Sequence, residues 1–327
     1  MVIEVSRLPY TRSEAKAWGR ETLQGFINVF PTPFDADFEI DHGALRRNLE
    51  KLSGIGLNGF LSGGNVAEGW NFTPTEWMAH AETVADVVAG KTPHLASVIL
   101  DPSPYTAIEK INRLANLGYN AMEVITPIFS LRHDDLVYEY FRMLSENTDV
   151  ALLIYNTPAS GKILSHDLID RISDLETIVG MKHGIDSVAD AARIRARVGD
   201  RIVVSNPLPR YWVTDVATYG GRVMYGGLDY TFFGKRRPDL LEYTELAKAG
   251  KATEALAIER TLMPLIDLYE KYLTISVVQK GIYDMSTAKV WNGLLGFETS
   301  NPRPPAPGAT QAEVGEIGEV LAELGVI

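Results

Sequence analysis

Eight short apolar runs, separated by amphipathic segments, limit the fold of this chain more than any other feature of its sequence. The segments between the runs have apolar residues at helical spacing, for example Leu45, Leu49 and Leu52. Strands that alternate with helices are typical of a parallel sheet covered by helices. The predicted strands are 25–30, 59–62, 94–100, 121–126, 150–155, 177–182, 201–205 and 222–225.

The number of repeats favours a closed barrel over an open sheet. Eight strand and helix units match a (β/α)8 or TIM barrel, whereas doubly wound sheets usually have fewer strands and often a glycine-rich phosphate turn. The sequence has no G-x-G-x-x-G or Walker A run. Helix starts are indicated by a capping box from Thr73 to Glu76 and by Ser165. We predict an α/β fold with this barrel at 1–238, including a short N-terminal leader.

The last part of the chain, 239–327, is mostly helical in pattern. Its predicted helices include one continuous helix over 252–272 and a final helix that carries Val314, Ile317, Leu321 and Leu324. A proline-rich connector, NPRPPAPG at 301–308, precedes the final helix. We therefore predict a helical C-terminal extension packed on the barrel.

Composition excludes several classes of function. A net charge of −11 disfavours binding to nucleic acid or to an anionic membrane. No run approaches the roughly 18 apolar residues of a membrane span, and the first 18 residues lack an apolar signal segment, so we expect a cytoplasmic protein. The chain has no cysteine, and its six histidines form no H-x-H or H-E-x-x-H pair. We expect no metal and no cofactor, which leaves a metal-dependent aldolase as the less favoured class.

Two adjacent predicted strands end in titratable side chains, Tyr155 and Lys182. The reactive face of a barrel lies at the C-terminal ends of its strands, and neighbouring strands are about 4.8 Å apart. Burial among apolar residues disfavours the charged form of a lysine, so that a neutral amine is available to attack a carbonyl. We predict that Lys182 is this nucleophile and that Tyr155 transfers protons beside it. The structural alternative is that both side chains only fill the top of the barrel.

A third strand end continues into the loop Gly-Gly-Asn-Val-Ala-Glu-Gly at 63–69. Glycines let backbone N–H groups approach an anion such as a substrate carboxylate. We therefore place Gly64, Asn65 and Val66 at the substrate. Glu68 either binds a substrate hydroxyl or braces the loop.

Six short motifs occur in an order that resembles a known family. They are FPTPFD at 30–35, GNVAE at 64–68, TP at 126–127, YNTP at 155–158, VGMK at 179–182 and NPRPP at 301–305. The chain resembles the dihydrodipicolinate synthase and N-acetylneuraminate lyase family, which are (β/α)8 class I aldolases. The resemblance implies that Lys182 forms an imine with a 2-oxo acid, usually pyruvate, that Tyr155 relays protons, and that the protein is a homotetramer.

The departures from the family pattern bear on the substrate. Asn65 and Val66 align with two hydroxyl residues that bind the pyruvate carboxylate, and Val66 has no side-chain donor. Phe129 aligns with a tyrosine that reaches a neighbouring subunit. The stretch around Ser160 lacks the arginine of the synthases, so we do not expect a dihydrodipicolinate synthase in the strict sense. The further predicted substrate-binding positions are Asn206, where the family often has a Gly-Asp pair, and Tyr225, where it has an aliphatic residue.

The function predicted from these residues is a Schiff-base lyase or aldolase that acts on a small 2-oxo acid. Val66, Trp70, Ile128 and Phe129 predict an apolar mouth, which favours an apolar or aromatic second substrate. A dehydratase or a synthase of the same family is the alternative within this class. An alternative of another class is a homologue that binds a 2-oxo acid without catalysis.

Overall fold

The computed structural model describes residues 8–127, 131–227, 229–275, 281 and 285–327, and within them eight parallel strands form one sheet in the order β7-β6-β5-β4-β3-β2-β1-β8. Each strand agrees with its predicted range to within two residues at both ends. The strands are β1 (Gly25–Val29), β2 (Gly59–Ser62), β3 (His94–Ile99), β4 (Ala121–Ile125), β5 (Ala151–Asn156), β6 (Ile178–His183), β7 (Val203–Ser205) and β8 (Val223–Gly227).

The sheet closes through a side chain between its two outermost strands. Ser205 Oγ donates to the carbonyl oxygen of Val223 at 2.9 Å and accepts from the backbone N–H of Tyr225 at 3.2 Å. This serine therefore connects β7 to β8 where no backbone ladder joins them. The predicted (β/α)8 barrel is confirmed.

Helices follow the strands around the barrel. The capping box predicted at Thr73 and Glu76 is present, and Ser165 accepts from the N–H of Leu168 as an N-cap. The helices up to residue 248 are α1 (Ala15–Thr22), α2 (His42–Ser53), α3 (Pro74–Val88), α4 (Pro104–Asn116), α5 (Asp134–Asn147), α6 (His166–Ser173), α7 (Val188–Val198), α8 (Trp212–Tyr219), α9 (Asp229–Phe232) and α10 (Arg237–Lys248).

The C-terminal part is helical as predicted, but its first long helix is interrupted. The prediction of a single helix over 252–272 is wrong. This stretch forms two helices, α11 (Ala252–Arg260) and α12 (Met263–Tyr269), and α12 leads into a π-helical turn at Glu270–Thr274. Pro264 lies in the first turn of α12, where its missing N–H is tolerated, although it would break a continuous helix. Two further helices are α13 (Met285–Leu294) and α14 (Gln311–Glu323). The predicted division at 238/239 falls inside α10, and the domain division stays a prediction.

Helix α1 closes the N-terminal end of the barrel. A Cβ on Gly19 would lie 2.6 Å from Cβ of Val179, so this helix packs directly on β6. The Trp18 ring stacks on His94 inside the barrel with a centroid distance of 5.6 Å. The opposite end of the barrel is therefore the one that can admit a ligand. Within the described residues, no helix is both long enough and apolar enough to span a bilayer.

Candidate active site

Lys182 and Tyr155 are direct neighbours across β5 and β6. They are partners in the strand register, and Lys182 Nζ lies 5.4 Å from the centroid of the Tyr155 ring. Both side chains are buried, and the lysine retains 8% of its accessible surface. Lys182 Nζ donates to the carbonyl oxygen of Gly226 at 3.0 Å, which directs the amine across the barrel towards β8.

Gly226 makes room for the amine. Its φ of +70° lies in the left-handed region, and a Cβ at this position would be 2.8 Å from Lys182 Nζ. A side chain here would therefore displace the amine from its position. The glycine acts through both its backbone conformation and its lack of a side chain.

A narrow cavity opens beside the amine at the C-terminal end of the barrel. Five of the ten site residues predicted from the sequence line it: Lys182, Tyr155, Gly64, Asn65 and Val66. The other lining residues are Val29, Leu61, Val98, Glu123, Ile125 and Gly226. The residues predicted from the sequence therefore include five that line this cavity but not the carboxyl group of Glu123.

The loop at 63–69 turns back on itself next to this cavity. Gly63 has a φ of +68°, and the N–H of Gly69 donates to the carbonyl oxygen of Gly64 at 3.1 Å. A Cβ on Gly69 would lie 2.0 Å from the carbonyl oxygen of Gly63, so the two ends of the loop can approach only through a glycine. Among the hydrogen bonds of the described residues, none uses the backbone N–H of Asn65 or Val66 as donor. These two groups are available to a carboxylate.

Glu68 braces the loop instead of lining the cavity. Its side chain is fully buried, and Oε1 lies 2.5 Å from Lys289 Nζ on α13. Its other oxygen, Oε2, accepts from the backbone N–H of Arg303 at 2.9 Å. Of the two roles considered from the sequence, bracing agrees with these contacts.

Glu123 is the residue that sequence reasoning missed. It lies on β4, is 1% exposed, and lines the cavity together with Lys182. Burial raises the pKa of its carboxyl group to about 7, while the charge of Lys182 lowers it. A carboxyl group inside an apolar strand is the signal that could have identified it, since the same reasoning led to Lys182.

His183 follows Lys182 but points to the other face of β6. Asn156 Nδ2 donates to His183 Nδ1 at 3.0 Å, which leaves Nε2 to donate to Asp190 Oδ2 at 2.9 Å. His166 Nε2 binds the second oxygen of Asp190 at 3.1 Å. This network holds the ends of β5 and β6 next to the reactive pair. Across the described ranges, no group of three His, Cys, Asp or Glu side chains has an arrangement that could hold a metal ion.

The remaining predicted site residues lie away from the cavity lining. Ser160 Oγ donates within its own turn, to the carbonyl oxygens of Thr157 and Lys162. Asn206 is buried and its Oδ1 accepts from the N–H of Leu208. Tyr225 points towards the closed end of the barrel, where its hydroxyl lies 3.2 Å from His94 Nε2. These contacts do not place the three side chains at a ligand.

The aromatic residues of the predicted mouth are Trp70 and Phe129. Trp70 is 45% exposed and lines a separate groove with Trp77 and Lys110, away from Lys182. Phe129, like Ile128, lies outside the described residues. The apolar character of the cavity therefore comes from its aliphatic lining.

Lys182 lies at the C-terminal end of a barrel strand, where catalytic residues of this fold are found, and a buried lysine amine can act as a nucleophile towards carbonyl groups. The model of the dihydrodipicolinate synthetase family matches residues 22–305. The chain belongs to this family and is an enzyme of the class I aldolase type.

Named relatives within the family differ in activity. A 4-hydroxy-tetrahydrodipicolinate synthase of Methanothrix thermoacetophila is 31% identical over 54% of this chain and 60% of its own length. A protein of Bradyrhizobium diazoefficiens, named probable 5-dehydro-4-deoxyglucarate dehydratase, is 23% identical over 94% of both chains. The crystal structure of dihydrodipicolinate synthase from Thermotoga maritima matches with a TM-score of 0.81 and 19% identity, covering 94% of this chain and all of that one. At this identity the structural likeness concerns the fold.

Proposed function

We propose that the protein is a Schiff-base-forming lyase that acts on a 2-oxo acid, pyruvate or an aldol derived from it. The observation that carries the proposal is the buried Lys182 amine, fixed by Gly226 and facing a cavity beside the loop of Asn65 and Val66. A lysine amine held in an apolar site is a nucleophile towards carbonyl groups. Its position at the C-terminal end of a barrel strand is where catalytic residues of this fold lie.

The reaction begins when Lys182 Nζ attacks the C2 carbonyl of the 2-oxo acid. Loss of water gives an imine between Nζ and C2, and its protonated form withdraws electrons from the neighbouring carbon. Tyr155, whose ring faces Nζ at 5.4 Å, is the group proposed to transfer a proton at this stage. A bond to the carbon next to C2 is then made or broken.

The carboxylate of the substrate is assigned to the loop. The N–H groups of Asn65 and Val66, together with the Asn65 amide, supply donors at the edge of the cavity. Two backbone donors recognise an anion without a hydroxyl side chain, as in other backbone nests. This assignment replaces the two hydroxyl residues of the family with main-chain groups.

The second substrate is proposed to be apolar or aromatic. Support comes from the aliphatic lining of the cavity by Val29, Leu61, Val66, Val98 and Ile125. A dehydratase is the second candidate, since a relative with that name aligns with 94% of this chain. A cytoplasmic location and a homotetramer belong to the proposal as well.

Borohydride trapping tests the proposed chemistry. The protein is incubated with pyruvate or with a panel of aliphatic, aromatic and polyhydroxylated 2-oxo acids, reduced with sodium borohydride, digested and analysed by mass spectrometry. We expect an adduct on the peptide that contains Lys182, of the mass of the reduced imine. An unmodified Lys182 with every acid of the panel would contradict the proposal and favour a homologue that only binds its ligand.

The assignment of the carboxylate predicts the effect of a hydroxyl at position 66. Val66 is half-buried at the cavity edge, and Val66→Thr adds a donor there with little change in volume. A hydrogen bond to a charged group contributes ~1.5–3 kcal/mol, so we expect the KM for pyruvate to fall about tenfold. Steady-state kinetics with pyruvate and with a 2-oxo amide measure the change.

The matched control is Val66→Ala, which changes the volume but adds no donor. We expect this variant to show no gain in affinity, and the 2-oxo amide, which lacks the negative charge, to gain less than pyruvate in Val66→Thr. An unchanged KM for pyruvate in Val66→Thr would place the carboxylate elsewhere in the cavity.

A further inference from the structure

Glu123 is a buried carboxyl group inside the barrel, and the roles proposed for Lys182, Tyr155 and the loop do not involve it. It is next to Val98 on β3 and Leu153 on β5 in the strand register, and all three side chains are buried. Its Oε1 atom has no hydrogen-bond partner among the described residues. Natural proteins rarely leave a buried carboxyl oxygen unpaired, so this position needs an explanation.

The cavity explains where the carboxyl group acts. Glu123, Lys182 and Tyr155 line the same cavity, so a ligand at the Lys182 amine lies beside the Glu123 carboxyl group. Lys182 and Glu123 also interact electrostatically, since the charge of the lysine opposes the effect of burial on the carboxyl pKa. The charge of Lys182 therefore acts on the Glu123 carboxyl group.

Two other titratable groups near Glu123, Tyr225 and His94, carry no charge near neutral pH. On β8, burial raises the pKa of Tyr225, and its hydroxyl is paired with His94. On β3, burial lowers the pKa of His94 to about 3, so this ring is neutral. On β5, Tyr155 presents its ring to the amine. Among the described residues that line the cavity, the charge that meets Glu123 is that of Lys182.

We propose that Glu123 is the proton carrier for imine formation, which takes the ammonium proton of Lys182 and returns it to the hydroxyl group that leaves as water. This inference rests on the proposed function of Lys182. It adds a residue from β4 to the pair on β5 and β6.

The steps balance without a further reactant. Transfer of a proton from the Lys182 ammonium to the Glu123 carboxylate gives a neutral amine and a neutral acid. The amine forms the bond from Nζ to C2, and the amine proton passes to the former carbonyl oxygen to give a neutral carbinolamine. Glu123 then donates its proton to the carbinolamine hydroxyl, the bond from C2 to oxygen breaks, and water leaves. The products are a positively charged imine and the Glu123 carboxylate, which restores the initial pair of charges.

A raised pKa suits the group for this cycle. A carboxyl group whose pKa is about 7 gives up and accepts a proton near neutral pH with little change in free energy, whereas an ordinary carboxylate is a weak base. Below this pH the Glu123 carboxyl group is protonated and cannot accept a proton. The rate of imine formation should therefore rise as the pH increases through about 7.

The experiment compares Glu123→Gln with the unchanged protein in a time course of borohydride trapping with pyruvate. General acid–base groups contribute about 10²–10⁴-fold, so we expect imine formation in Glu123→Gln to be at least about 100-fold slower. The rise of the rate near pH 7 should disappear in this variant. Glu123→Asp keeps an acid and should recover part of the rate.

Glu259 provides a matched control. It is also a buried carboxyl group whose pKa is raised to about 7 by burial, but it lies on α11, outside the cavity. Glu259→Gln should trap pyruvate at the rate of the unchanged protein. Imine formation in Glu123→Gln at an unchanged rate and with the same pH profile would overturn the proposal.

A second measurement does not depend on any reaction. Infrared difference spectra between about pH 5 and pH 9 detect the C=O stretch of a protonated carboxyl group. The spectra are recorded in a Glu259→Gln background, because Glu259 also has a pKa of about 7. We expect a band that titrates with a midpoint near pH 7 and is absent when Glu123→Gln is added to that background. If the unchanged protein traps no 2-oxo acid, the proposed function fails, and the band still decides whether Glu123 exchanges its proton. A Glu123 that stays ionised throughout this range overturns the role of proton carrier by itself.

Discussion

Lys182→Met abolishes borohydride trapping and lowers turnover by a factor on the order of 10⁴ or more, since the covalent intermediate cannot form. Methionine has a similar length and an apolar end, so it fills the space of the buried lysine without leaving a large cavity. The variant loses the hydrogen bond to the carbonyl oxygen of Gly226, the contact of the amine with the Tyr155 ring and the charge that acts on Glu123. Trapping with pyruvate, steady-state turnover and thermal unfolding are measured on the same preparation.

Lys91→Met is the control for the chemistry of the lysine itself. Lys91 is exposed in the turn before β3, at the N-terminal end of the barrel strands, so its loss should change neither trapping nor turnover. Lys182→Met should unfold at nearly the temperature of the unchanged protein. The loss of trapping and turnover is then due to the missing amine and not to unfolding. Turnover that survives in a folded Lys182→Met protein would show that the reaction does not proceed through this amine.

The barrel could be predicted because each strand is apolar and ends at a polar or glycine-rich turn. The run TIVGMKHG contains both the strand β6 and its reactive lysine, and the run VALLIYN contains β5 and Tyr155. Because parallel strands in neighbouring positions end at the same edge of a sheet, their last residues meet. Local pattern and strand order together were sufficient to bring Lys182 and Tyr155 into contact.

Glu123 could have been found by the same reasoning. The run AMEVIT places a carboxyl group in the middle of an apolar strand, at a position where the side chain must point either into the barrel or towards the helices. Charged residues in such positions are rarely buried without a partner. A search limited to the last residues of each strand therefore passes over a group one layer deeper in the barrel.

The positions of Tyr225, Trp70 and Glu68 could not be predicted, because local sequence pattern does not determine where a side chain points or which distant residue it contacts. Tyr225 points into the barrel as strand alternation allows, but it leans towards His94 at the closed end, away from the ligand end. Trp70 follows the reactive loop closely in sequence, yet the turn after Glu68 carries it to another groove. The contact of Glu68 with Lys289 joins residues separated by most of the chain, and the sequence around each residue gives no sign of it.

Breaking that pair is expected to have the largest effect on stability. Glu68 and Lys289 are both at most 1% exposed, and their charged atoms are 2.5 Å apart. Burial lowers the pKa of Lys289 to about 8, with Glu68 opposing the shift, so the lysine is charged at pH 7. Lys289→Met leaves the Glu68 carboxylate buried without its cation, which should lower the free energy of unfolding by about 3–5 kcal/mol. Urea unfolding at pH 7 measures the loss.

The double variant Glu68→Gln with Lys289→Met measures how much of the stability loss comes from the interaction between these two charges. It removes both charges, so most of the stability lost in Lys289→Met should return, and the coupling energy in the double-mutant cycle should be large. Arg142→Ala is the control, since its ion pair with Glu146 is solvent-exposed and such pairs contribute roughly 0–1 kcal/mol. A Lys289→Met protein as stable as this control would contradict the role of the pair.

The same pair should also affect substrate binding, because Glu68 holds the loop of Asn65 and Val66. Lys289→Met should raise the KM for pyruvate even under conditions where the protein remains folded. The C-terminal helices then contribute to the site through a contact that lies outside the cavity.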